Sequence, residues 1–256
     1  MPAPPFHPDL RAARWLPRSA AGPRMLAISR VLGRFASTAP RLGASVVTVE
    51  PGVSVRVFRP ADAGNGRDPG RRPAVLWIHG GGYVVGSARQ DDPFCRRLAD
   101  ELGAVVVAVD YRLAPEHPFP TPLDDCAAAL RWLARETDVD PRTLRVWSPA
   151  SNRFGWRAYL GPDQDAAVPP LAAPARYTDL AALPPTWIGV GTRDLFHDED
   201  VAYAERLRAA GVPCELEVIE GAYHGFDTIQ PRAGVSREFR RSQVDALARG
   251  VRATTR

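Results

Sequence analysis

Short apolar runs alternate with amphipathic segments from residue 74 to the end of the chain. The strand-like runs are AVLWIHG (74–80), AVVVAVDY (104–111), LRV (144–146), TWIGVGT (186–192) and CELEVIE (214–220). The helix-like segments lie at 92–102, 122–136, about 198–210 and about 236–253. Continuous β-branched runs are typical of buried parallel strands, and helices connect such strands. The alternation predicts an α/β fold with a mostly parallel central sheet and helices on both faces.

The first 73 residues follow a different pattern. Apolar side chains recur at helical spacing over 8–36, with arginines on the other face. This predicts a pair of surface helices that pack on the domain, with a helix lying on a membrane surface as the alternative. SVVTVE (45–50) and VSVRVFRP (53–60) flank Pro51-Gly52 and predict a β-hairpin. We therefore expect a small helical cap over 1–40 and a main domain over 41–256.

The amino-acid composition indicates which kinds of binding partner are not expected. The chain has 256 residues with a formal charge of +4, and all 33 basic residues are arginine. No basic run exceeds a pair and no aromatic stripe accompanies the arginines, so we expect no nucleic-acid partner. No apolar run reaches the length of a membrane span, and the N-terminus lacks the apolar core of a signal peptide. Three cysteines without a CxxC pattern predict reduced thiols and a cytoplasmic protein.

A glycine cluster follows the first strand of the alternating region. HGGGYVVGS (79–87) contains Gly80, Gly81 and Gly82, which let backbone N–H groups turn towards one point. Such a cluster can stabilise an oxyanion, although a glycine run after a strand is often only a tight turn or an anion-binding nest. Further along, YRLAPEHPFPTPLDD (111–125) contains prolines that predict a stiff extended segment leading into a helix.

Together, HGGGY and YRLAPEHPFP resemble the hormone-sensitive-lipase-like (bacterial family IV) carboxylesterases. The resemblance covers most of the chain and implies an α/β-hydrolase fold. It also implies hydrolysis of a small carboxylic ester by a Ser-His-Asp mechanism, with Gly80, Gly81 and Gly82 as the oxyanion hole. No cofactor or metal is expected, because no group of residues has metal-ligand spacing. The competing fold is a plain Rossmann-like domain, but no G-x-G-x-x-G opens a helix in this sequence.

Two further motifs supply candidates for the acid and the base. In GTRDLFHDED (191–200), Asp194 follows a strand and matches the acid of the family pattern, while the carboxylates after it read as the start of a helix. In GAYHGFD (221–227), His224 lies 30 positions after Asp194, and the order of acid before histidine matches hydrolases. His79 and His117 are interpreted as loop-bracing residues, and His197 as a helix-start residue.

The nucleophile is missing from the pattern. No serine of the chain has glycine two positions before and two positions after it, as the G-x-S-x-G elbow requires. Ser148 is followed by Pro149, which has no N–H to lend to an oxyanion hole, and Ser151 has Pro149 and Arg153 in place of the glycines. Both serines are weak candidates.

The two family-like segments on either side, 138–146 and 151–161, are separated by only four residues. An elbow with its helix and strand needs roughly 35 residues or more. The pattern therefore predicts an internal deletion near 147–150. A sheet that lost interior strands would expose an apolar face. Formation of a homodimer is one way to bury such a face. Two functions stay open: an esterase by family, or a catalytically impaired or ligand-binding relative of esterases.

Overall fold

The order of helices and strands in the computed structural model follows the predicted alternation. The structure describes residues 6–15, 43–61, 72–136, 156, 158–160 and 170–254. These residues fall into two compact units. The four-stranded unit contains residues 43–61 and 72–136, and the two-stranded unit contains residues 6–15 and 170–250.

The four-stranded unit is built on one mixed sheet. Its strands are β1 (Ser45–Glu50), β2 (Val53–Phe58), β3 (Ala74–Ile78) and β4 (Val105–Asp110). Their spatial order is β1-β2-β4-β3. β1 and β2 form the predicted antiparallel hairpin, β2 runs antiparallel to β4, and β3 runs parallel to β4. β4 thus lies inside the sheet, which explains why its apolar residues are buried on both faces.

Two helices cover this sheet. They are α1 (Asp92–Leu102) and α2 (Thr121–Glu136). α1 ends where Gly103 adopts φ 60°, a left-handed conformation that glycine takes without strain, and its N–H bonds to the carbonyl of Ala99. One face of α2 packs on the valines of β2 and β4 through residues that include Ala129 and Leu133. The helices therefore bury the apolar pattern from which they were predicted.

A buried ion pair joins β2 to the start of α1. The Arg56 guanidinium donates through Nε to Asp92 Oδ1 at 2.7 Å and through Nη2 to Asp92 Oδ2. Both side chains are almost completely buried, at 3% and 4% exposed. The two parallel hydrogen bonds satisfy charges that would otherwise be costly inside the protein.

The two-stranded unit holds a parallel pair of strands and three helices. β5 (Thr186–Gly191) pairs in parallel with β6 (Cys214–Ile219), and α3 (His197–Ala209) connects them. Two further helices, α4 (Phe226–Ile229) and α5 (Gly234–Thr254), follow β6. Short 3-10 helices span Pro8–Trp15, Pro170–Ala172 and Pro174–Arg176. Ile188, Ala204 and Leu207 bury the contact between β5 and α3.

The predicted strands and helices within the described residues are confirmed, with bounds that move by one or two positions. Within the predicted N-terminal helix pair, the described part is a single 3-10 helix over Pro8–Trp15. The remainder of that pair and the short strand at 144–146 lie outside the described residues. Within the described residues, no helix has the length and apolar character needed to cross a membrane.

Candidate acid–base pair and glycine loop

Asp194 and His224 are hydrogen bonded in the two-stranded unit. His224 Nδ1 lies 2.8 Å from Asp194 Oδ2, and because a carboxylate accepts, Nδ1 carries the proton and donates it. The other carboxylate oxygen, Oδ1, accepts the backbone N–H of Phe196 at 3.0 Å. Both side chains are largely buried. The carboxylate therefore fixes both the orientation and the tautomer of the imidazole.

The loops after β5 and β6 bring the two side chains together. Thr192 N donates to the carbonyl of Ile219 at 3.0 Å, and Arg193 N donates to the carbonyl of Ala222 at 2.9 Å. In return, Gly221 N donates to Thr192 Oγ1 at 2.8 Å. Because β5 and β6 are parallel, their carboxyl ends meet at one edge of the pair, and these bonds lock the loops there.

Gly191 makes that close approach possible. A Cβ atom on Gly191 would lie 2.1 Å from the carbonyl oxygen of Ala222. The last residue of β5 can therefore be only glycine without a shift of the loop that carries His224.

The glycine loop lies in the four-stranded unit and follows β3. Gly81 has φ 132° and Gly82 has φ 54°, and a Cβ on Gly81 would lie 1.9 Å from the carbonyl oxygen of Val85. The carbonyl of Val85 is close because the loop forms a tight turn. In this turn, Val84 N and Val85 N both donate to Gly81 O, at 3.2 and 3.1 Å. The glycines are thus required by the backbone path.

His79 supports the glycine loop through contacts of its side chain and its backbone carbonyl. Its side chain is buried, and Nδ1 donates to the carbonyl of Gly80 at 2.8 Å, an oxygen that also accepts Gln90 Nε2 at 3.3 Å. The imidazole stacks on Tyr111 with 4.2 Å between ring centroids, and Tyr111 Oη donates to His79 O at 2.8 Å. Burial lowers the pKa of His79, against a smaller opposing effect of its bond to Gly80. The ring is therefore neutral and structural.

Aromatic rings line the other side of the glycine loop. Tyr83 adopts φ 65°, an uncommon conformation for a residue with a Cβ, and stacks on Tyr159 with 4.2 Å between centroids. Its carbonyl accepts the N–H of Ala114, which lies in the proline-rich segment at 111–125. Burial raises the pKa of Tyr83, so its hydroxyl stays protonated near neutral pH.

The remaining predicted residues are distributed as follows. His197 begins α3, as predicted, and bonds through Nδ1 to Asp198. The side chain of His117 is exposed, and only its backbone N–H closes a turn by donating to Leu113 O. Ser148 and Ser151 lie outside the described residues. In the part of the chain that the structure describes, no three His, Cys, Asp or Glu side chains cluster in a way that could hold a metal ion.

Sequence reasoning missed the residues that support these motifs. Thr192 and Tyr111 each lie within a motif that was identified, yet their hydrogen-bond partners are distant in sequence. A threonine directly after a strand, and a tyrosine opening a proline-rich segment, have many possible roles. Neither side chain carried a signal strong enough to assign one.

Parallel strands joined by a helix, with a carboxylate and an imidazole paired at their carboxyl ends, are the arrangement of an α/β hydrolase. A family model described as alpha/beta hydrolase fold matches residues 75–146 and 137–228. The esterase LipI of Mycobacterium tuberculosis is 31% identical over 214 residues, which cover 62% of this chain and 67% of the relative. The ethyl acetate hydrolase of Pseudomonas putida is 31% identical over 230 residues, covering 67% of this chain and 70% of the relative.

Solved structures agree with these sequence matches. The structure titled Bacterial Heroin Esterase has a TM-score of 0.81 at 30% identity, covering 98% of this chain and 99% of that chain. The chain therefore belongs to the alpha/beta hydrolase family that contains these carboxylesterases, and the predicted fold class is confirmed. The matches to the two curated relatives span about two thirds of each relative's length.

Proposed function

We propose that this chain descends from a hydrolase of small carboxylic esters and retains its acid, base and oxyanion loop. The 2.8 Å hydrogen bond between His224 Nδ1 and Asp194 Oδ2 is the observation that carries the proposal. An imidazole held by a buried carboxylate is the acid–base device of serine hydrolases. The printed names of the relatives, an esterase and an ethyl acetate hydrolase, support an ester as the ancestral substrate.

In the ancestral reaction, His224 acts as base and then as acid. Since Nδ1 is bonded to Asp194, proton exchange with the reacting groups falls to Nε2. That nitrogen takes the proton of the attacking hydroxyl and later returns it to the leaving alcohol. The Asp194 carboxylate stabilises the imidazolium that forms between the two steps.

Gly80, Gly81 and Gly82 are proposed to hold the oxyanion that develops when the carbonyl is attacked. The positive φ angles of Gly81 and Gly82 support this role, because they turn successive peptide groups in directions that other residues avoid. The neutral His79 ring fixes the carbonyl of Gly80 from behind, which orients the peptide that links Gly80 to Gly81. A preorganised loop needs no rearrangement during the reaction.

We further propose that the nucleophile elbow has been lost by an internal deletion near residues 147–150. The family model matches in two pieces, 75–146 and 137–228, and their overlap at 137–146 lies directly before this place. The match to LipI runs over 214 positions yet includes 62% of the 256 residues, about 159, so about 55 positions have no counterpart here. That number accommodates an elbow, a helix and a strand.

A consequence of the deletion is that the chain turns over esters slowly or not at all. Removing a triad nucleophile lowers turnover on the order of a million-fold, and the elbow also supplies one N–H of the oxyanion hole. The second candidate function, a ligand-binding relative without catalysis, is favoured by the missing G-x-S-x-G motif.

The experiment is incubation with p-nitrophenyl acetate and, separately, with a fluorophosphonate probe. We expect turnover equal to that of the His224→Ala variant, and no stoichiometric labelling. An active esterase of the family is the positive control, and the heat-unfolded chain gives the background. Rapid turnover with one labelled serine would overturn the proposed loss of the nucleophile. Labelling of the Ser148→Ala and Ser151→Ala variants would then show which serine reacts.

A further inference from the structure

Phe6 lies between the residues that precede the acid and the base. The guanidinium carbon of Arg193 lies 4.0 Å from the centroid of the Phe6 ring. The Tyr223 ring meets Phe6 edge-on, with 6.2 Å between centroids and 83° between planes. Arg193 directly precedes Asp194, and Tyr223 directly precedes His224. One aromatic ring therefore contacts both loops that meet in the acid–base hydrogen bond.

The residues that follow Phe6 are fixed to the same unit. His7 N donates to the carbonyl of Gly221 at 3.0 Å, in the loop that carries His224. Asp9 Oδ2 accepts the N–H of Val235 at 3.0 Å, in the first turn of α5. Leu10 is fully buried in a cluster with Ala222, Phe226, Val235 and Phe239. Phe6 is thus anchored to the framework of the unit beneath these loops.

We infer that Phe6 is a positioning residue for His224, an inference that rests on the proposed role of His224 as the base. Phe6 acts through Arg193 and Tyr223. A cation over an aromatic face and an edge-on ring contact are both favourable over a narrow range of distance. Both contacts are kept only while the two loops hold their present spacing. Without the ring, the loops separate more often and the bond between Nδ1 and Oδ2 opens more often.

The test measures how fast the Nδ1 proton of His224 exchanges with water, by nuclear magnetic resonance of the full chain. Its signal is assigned by its disappearance in the His224→Gln variant. We expect Phe6→Ala to raise the exchange rate about fivefold to tenfold, as loss of a partly desolvated cation–π contact implies. Phe6→Trp keeps an aromatic face for Arg193 and should restore the native rate to within about twofold.

The matched control is Trp15→Ala. Trp15 belongs to the same N-terminal segment and also has an arginine over its ring, with Arg14 at 5.2 Å, but it is 79% exposed. Its removal should leave the exchange rate of the Nδ1 proton unchanged. The backbone amides of β5 and β6 serve as internal references for the stability of the unit.

Faster exchange of the Nδ1 proton alone in Phe6→Ala supports the inference. Three results would overturn it: a native rate in Phe6→Ala, equal acceleration in Trp15→Ala, or equal acceleration of all the reference amides. The measurement reads a hydrogen bond and requires no ester turnover. A chain that does not hydrolyse esters can therefore still support the inference. An unchanged exchange rate in Phe6→Ala would contradict the inference but would not contradict the proposed ancestry as a hydrolase.

Discussion

At the scale of single residues, His79 and His224 show how environment separates two histidines of one chain. His224 is held by a carboxylate in a partly buried loop. His79 is enclosed, stacked on Tyr111 and bonded to a backbone carbonyl, and burial lowers its pKa. The carboxylate orients the first imidazole, whereas burial disfavours a proton on the second. The neighbouring motifs predicted a structural role for His79 and a catalytic role for His224, and the catalytic role stays a prediction. The sequence contained no information on burial.

The lowered pKa of His79 predicts a loss of stability in acid. Below pH 6.5 the unfolded chain binds a proton at this histidine while the folded chain does not, so stability falls as pH falls towards the folded pKa. For one proton this slope is at most about 1.4 kcal/mol per pH unit. His79→Asn cannot titrate and keeps a donor for Gly80 O, so its free energy of unfolding should fall less between about pH 7 and pH 5.

Urea denaturation at a series of pH values measures this slope. His117→Asn is the control, because the side chain of His117 is exposed, and it should keep the native slope. Identical slopes for the native chain and for His79→Asn would mean that His79 does not contribute to the pH dependence of stability.

At the scale of helices and strands, local patterns were sufficient for most of the assignments. The continuous run at 104–111 became the interior strand Val105–Asp110, and the amphipathic segment at 92–102 became a helix with those bounds. The antiparallel pairing of β2 with β4 could not be read from the sequence, because the register depends on contacts between distant segments. The short helix Phe226–Ile229 was missed, since four residues carry no periodicity. The contacts of Phe6 with Arg193 and Tyr223 join residues 187 and 217 positions apart in the sequence.

The contact between β2 and α1 predicts one strongly destabilising substitution. Asp92→Asn leaves the buried guanidinium of Arg56 without a counter-charge and should cost about 3 kcal/mol of unfolding free energy. Glu101→Gln removes the partner of Arg97 in an exposed pair on the same helix and should cost about 0.5 kcal/mol or less. Chemical denaturation of both variants gives the comparison. Similar losses of unfolding free energy in the two variants would show that the buried pair stabilises the fold no more than the exposed pair does.

At the scale of the whole molecule, the chain combines the fold of its family with a sequence that contains no G-x-S-x-G motif. The structural match covers 98% of this chain, while the sequence match to LipI covers 62% of it. The hydrogen bond between Asp194 and His224 joins two residues that were singled out from local motifs, and their catalytic roles stay predictions. The sequence shows that the elbow motif is absent, and the deletion that would explain this absence stays a proposal.

Insertion of a nucleophile elbow into this chain tests the proposed deletion. The elbow, helix and strand of an active family esterase, inserted between Val146 and Ser151, should restore hydrolysis of p-nitrophenyl acetate and labelling by a fluorophosphonate. The same insertion with its elbow serine changed to alanine is the control and should do neither. A folded insertion that remains inert would argue that Asp194 and His224 are not the remnant of a triad.

The Asp194 carboxylate serves the backbone as well as the imidazole, because its second oxygen accepts the N–H of Phe196 at the turn before α3. Loss of this side chain would leave that N–H without its partner and weaken the entry into the helix. Asp194 therefore has a structural role that does not depend on ester hydrolysis. The bond between Asp194 and His224 can persist in a folded chain whether or not that chain turns over an ester, so its presence is no measure of turnover.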